Sequence, residues 1–145
     1  MTRRRTWRPA AFTPADLWVL LGGLVAIASL RGLDYATGDD RVSQSLSVVE
    51  DAFPLPVWGA FTLAAASVLA LGITARVHAA VFIGHGLLAG VYLALGVGVA
   101  LSVRELGPWW DGIRSGGDLL FFGLLHGVLC FRTGPRPLLE VETRP

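Results

Sequence analysis

The chain has 145 residues, of which 53% are hydrophobic and 16% charged, with a net charge of +1. Soluble domains carry about a quarter of charged residues, so this composition argues against one. The near-neutral balance removes the basic footprint of a nucleic-acid ligand, and the single cysteine, Cys130, excludes an internal disulfide or a CxxC metal or redox site.

The basic start, residues 1–13, carries Arg3, Arg4, Arg5 and Arg8 and is expected on the cytoplasmic side. Thr13-Pro14-Ala15-Asp16 then reads as a helix start, with Thr13 as N-cap, Pro14 at N1 and Asp16 closing a capping box. It opens the first of four apolar stretches, at 14–33, 57–75, 77–103 and 117–131. A spanning helix needs about 20 mainly apolar residues at 1.5 Å of rise each. The Ala26-Ile27-Ala28 triplet resembles a signal-peptide cleavage site. The helical pattern continues beyond it to Tyr35, which favours a retained helix, and Arg31 and Asp34 are spaced to pair at the membrane edge.

The first outer segment holds Val42, Leu46, Val49 and Phe53 at helical spacing, which predicts a short amphipathic helix over 41–53, stopped by Pro54 and Pro56. The second and third stretches are joined by a five-residue turn containing Arg76 and His78. Helices so tightly joined are expected to be antiparallel neighbours. Gly86, Gly90, Ala94 and Gly98 recur at steps of four in the third stretch, and Gly123 and Gly127 form a GxxxG pair in the fourth. In lipid, small residues drive helix association by letting backbones approach, so these positions are the predicted packing faces. They suit a compact bundle or a homo-oligomer equally.

With residues 14–132 as one four-helix transmembrane domain, arginine counting sets the orientation. Arg3, Arg4, Arg5, Arg8, Arg76, Arg132, Arg136 and Arg144 fall inside, against Arg31, Arg41, Arg104 and Arg114 outside. Both termini are then cytoplasmic, and the tail at 133–145, with three prolines, is expected to be disordered.

Four polar residues within the apolar stretches are the candidate site: His85, His126, Tyr92 and Asp118. Counted along oppositely running helices, both imidazoles fall roughly 9–12 Å from the cytoplasmic boundary. Ionisable groups inside a membrane are costly and suggest function. Neutral imidazole is a common ligand, so His85 and His126 are candidate ligands for a metal or a b-type haem. They could also relay protons or line a small aqueous path, against the plainer expectation that each bonds a neighbouring helix and holds the bundle in register. Asp118 follows Ser115-Gly116-Gly117, which suggests a carboxylate at a helix start with Ser115 as its cap. No GxSxG, HExxH, Walker or Rossmann motif is present, so no catalytic residue is expected.

The start MTRRRTWRPAAF, the paired middle helices and the closing stretch PWWDGIRSGGDLLFFGLLHGVL resemble small four-helix membrane proteins of actinobacteria and their phages. The resemblance implies an integral protein of the bacterial cytoplasmic membrane. Some phage proteins of this shape are holin-like and make that membrane leaky. The chain departs from the simplest holin picture in its patterned outer loop and its weakly charged tail. The reading taken forward is a membrane scaffold or accessory subunit with no enzyme activity and no cofactor, its partners being the bilayer and a second copy or another membrane protein. A holin-like permeabiliser or small channel is the second reading, and a histidine-ligated haem or metal protein the third.

Overall fold

A computed structural model describes residues 13–38, 49, 52–106 and 113–134. Within them the chain forms four helices and no strand: α1 (Pro14–Thr37), α2 (Leu55–Thr74), α3 (His78–Leu106) and α4 (Ile113–Thr133). The N-terminal segment 1–12, the tail 135–145 and most of the expected 41–53 helix lie outside the described residues. Of that helix only Val49, Ala52 and Phe53 are described.

α1, α2 and α3 are each long and apolar enough to cross a membrane. α4 is not among these three, because Arg114, Asp118, His126 and Arg132 interrupt its apolar run. The surface agrees with a membrane protein. Val19 is 76% exposed, Leu71 67% and Phe131 90%, whereas Ala28, Ala65 and Ala66 are buried. Large apolar groups on the outside are what a lipid-facing surface would carry.

The helix boundaries have local causes. The Thr13 side chain accepts from the Asp16 amide at 3.2 Å, and the Thr13 amide donates to the Asp16 carboxylate at 2.8 Å, which completes the predicted capping box. Substituting Thr13→Ala is expected to fray this end. Hydrogen exchange should then speed up at the first-turn amides of α1 and leave those of α3 unchanged. α1 runs on to Thr37, past the predicted stop at 33, because Leu24, Ala28, Gly32 and Tyr35 continue its buried face. α2 begins before Pro56, at Leu55, since proline is tolerated in a first turn where the amide needs no partner. α4 begins four residues before the predicted 117, at Ile113, so that position 115 falls within its first turn.

The helices pack in chain order, α1 on α2, α2 on α3 and α3 on α4. Their spacing is set by glycines at which a Cβ would meet a neighbour. Such an atom at Gly32 would lie 2.8 Å from Leu63, at Gly72 2.6 Å from the Val81 amide, and at Gly84 2.7 Å from the Leu69 backbone. At Gly96 it would meet Leu120 at 2.9 Å and at Gly123 Leu93 at 2.8 Å. Of the expected packing positions, Gly98 abuts Val49 and Gly123 is close-packed. A Cβ at Gly86 would make an ordinary contact with Cys130, Ala94 is exposed, and a Cβ at Gly90 or Gly127 would meet nothing beyond its own helix within 4 Å.

The buried stripe of α3 is instead His85, Leu88, Tyr92, Leu95, Val99 and Ser102, each no more than 1% exposed. Its spacing alternates three and four. At 3.6 residues per turn a step of four rotates about 40° too far, so the 86–98 series drifts about 120° around the helix. The alternating series stays on one face.

Candidate functional site

α3 and α4 carry the two histidines to the same level of the fold. The Nδ1 atoms of His85 and His126 lie 2.8 Å apart, with ring centroids at 5.1 Å and planes tilted by 45°. The rings are 1% and 0% exposed. At this distance one ring donates and the other accepts. In the neutral pair one imidazole therefore carries its proton on Nδ1 and the other on Nε2. The bond can persist with one added proton, but two would set N–H against N–H.

This arrangement does not suit a metal held between the two Nδ1 atoms. Imidazole ligands sit about 2.0–2.1 Å from zinc, so a linear bridge would hold the nitrogens about 4 Å apart. Among the described residues no three His, Cys, Asp or Glu side chains are grouped to hold a metal ion.

Tyr92, on α3 and fully buried, lies under the pair. Its ring stacks on His126 at 5.8 Å and 25°, and meets Phe122 at 5.9 Å. The next member was not foreseen. The Arg31 guanidinium carbon stands 5.9 Å from the centroid of Tyr92. That is within cation–π range. No ion pair among the described residues joins Arg31 to Asp34. A signal for this was present in the sequence. Leu24, Ala28, Arg31 and Tyr35 are spaced by four, three and four, which puts Arg31 on the buried face of α1. The result is a chain of contacts from Arg31 through Tyr92 and His126 to His85, linking α1, α3 and α4.

Three atoms of these side chains are buried with no hydrogen-bond partner among the described residues: Arg31 Nη1, Tyr92 Oη and His126 Nε2. The other interior polar groups bond backbone carbonyls, as expected of scattered hydroxyls in apolar helices. Thr62 donates to Trp58 at 2.8 Å and Ser102 to Gly98 at 3.0 Å, while the Cys130 thiol donates to Phe82 at 3.5 Å.

Asp118 stands apart from the histidines. It is exposed near the start of α4, and no ion pair among the described residues joins it to Arg104. At the opposite end of the fold the α2–α3 turn borders a cleft of about 270 Å³, lined by Trp18, Leu21, Gly72, Ile73, Arg76, His78 and Val81.

Comparison of the chain with protein-family models, curated proteins and solved structures yields no match. The actinobacterial and phage likeness therefore finds no support there, and any functional argument rests on the geometry above.

Proposed function

We propose that the chain is an integral protein of the bacterial cytoplasmic membrane, crossing it with all four helices as an antiparallel bundle and keeping both termini inside. α4 has 21 residues, or about 32 Å, enough for a hydrocarbon core of about 30 Å. His126, the ionisable residue deepest within α4, is turned inward, which supports a fourth crossing. In this reading the protein is a scaffold or accessory subunit without catalytic activity. The observation that carries it is the 2.8 Å bond between His85 and His126. Two fully buried ionisable groups are bonded to each other, and this bond would hold α3 to α4 in one register.

A second reading draws on Arg31 Nη1, Tyr92 Oη and His126 Nε2. Buried polar atoms in lipid need partners, and water supplying them would form the start of a small aqueous path. Expression in a bacterial host with a voltage-sensitive dye separates the two. The scaffold predicts a steady membrane potential with the protein verified in the membrane, together with a reproducible co-purifying membrane protein. Rapid depolarisation by the wild type, lost in the His85→Ala/His126→Ala double variant, would replace it with the permeabiliser.

A further inference from the structure

The α2–α3 turn combines a costly backbone with a charged side chain. Val77 donates to the Gly72 carbonyl at 2.9 Å and Arg76 to Ile73 at 3.3 Å. This is the paired bonding that closes a helix with a left-handed residue, a position usually filled by glycine. Here it is Arg76, at φ 57. A residue with a Cβ is disfavoured in that conformation by about 1–2 kcal/mol. Arginine therefore stands at a position that glycine would occupy with less strain.

Its side chain borders the cleft of about 270 Å³. One wall is cationic or hydrogen-bonding: Arg76, and His78 as the first residue of α3, where unpaired amides favour an anion. The other walls, Leu21, Ile73 and Val81, are apolar. Val19, Leu71 and Val77, each next in sequence to a lining residue, are exposed apolar side chains. Trp18, 55% exposed, stands at the same level, where indole favours the boundary between headgroups and acyl chains.

We propose that this cleft binds one anionic phospholipid, its phosphate between Arg76 and His78 and an acyl chain along Leu21, Ile73 and Val81. The proposal rests on the membrane reading above, with this turn on the cytoplasmic side. Charge complementarity selects the headgroup, and the apolar walls select a lipid over a free phosphate.

The test is native mass spectrometry of the full chain in neutral detergent with added phosphatidylglycerol or phosphatidylcholine. Wild type should retain one phosphatidylglycerol at least five times more often than phosphatidylcholine. Arg76→Gly, which suits the left-handed turn, should abolish most of that preference, and Arg76→Lys should keep most of it. Arg132→Gln, which removes another exposed cation expected on the inner side, should leave it unchanged. Equal retention of both lipids, no effect of Arg76→Gly, or an equal loss with Arg132→Gln would overturn the site. Displacement of the lipid by millimolar glycerol phosphate would assign the cleft to a soluble phosphate and overturn the lipid. Carbonate washing of membranes keeps the two levels apart. Release of the wild-type chain would overturn the membrane reading and this proposal with it, whereas retention with equal lipid counts overturns the lipid site alone.

Discussion

Replacing His126 with alanine is expected to destabilise the folded protein by about 2–4 kcal/mol. The substitution removes the partner of His85, and an unsatisfied buried polar group costs about 1–3 kcal/mol. It also opens a cavity against the face of Tyr92, whose ring stacks on His126 at 5.8 Å. Aromatic pairs contribute about 0.5–1.5 kcal/mol beyond area. Unfolding in mixed micelles with increasing sodium dodecyl sulfate measures the loss. The sharper quantity is the coupling between the rings. Interhelical hydrogen bonds in membrane proteins average about 0.6 kcal/mol and reach about 1.7. A cycle of His85→Ala, His126→Ala and the double variant should therefore show a coupling of about 1 kcal/mol. Strict additivity would mean that the rings do not share a proton, and would remove the observation on which the scaffold reading stands.

The second large effect is expected at Gly84. A Cβ there would lie 2.7 Å from the Cα and 2.7 Å from the Cβ of Leu69. The obstacle is mainly backbone, so no rotamer change relieves it, and α2 and α3 must move apart. Overpacking typically costs about 1–3 kcal/mol, and Gly84→Val should reach the top of that range or prevent accumulation in the membrane. Gly90→Ala is the internal comparison. Nothing beyond its own helix lies within 4 Å of its Cβ position, and alanine is favoured over glycine within a helix by about 0.5–1 kcal/mol. The same detergent titration should show Gly90→Ala at or above wild-type stability. The reverse order of the two variants would refute the helix register described here.

Much of this architecture was legible from local chemistry. The start of α1 follows from four consecutive residues, because a capping box needs only Thr13 and Asp16 and no distant partner. The α2–α3 turn follows from its short length. The candidate residues His85, His126 and Tyr92 stand out because polar groups in apolar helices are rare. Local pattern failed where two signals competed. Pro54 and Pro56 together suggested a later start for α2, but only the residue before the helix obeyed that reading, since Pro56 fits the first turn. Ser115 suggested a cap, yet the helix begins at Ile113.

Length, hydropathy and spacing thus determine how many helices form, where each broadly runs and which polar residues they carry, because each property depends on neighbours a few residues away. Partnership is different. His85 and His126 are 41 residues apart, and a sequence places them at similar depth without saying that their Nδ1 atoms meet at 2.8 Å. That contact depends on the rotation of α3 and α4 about their own axes, which close packing at Gly96 and Gly123 sets. The inward turn of Arg31 onto Tyr92 depends likewise on α1 packing beside α2, and the choice between an ion pair with Asp34 and a ring face is made by that packing. A small rotation of any one helix would preserve every local pattern and break these contacts.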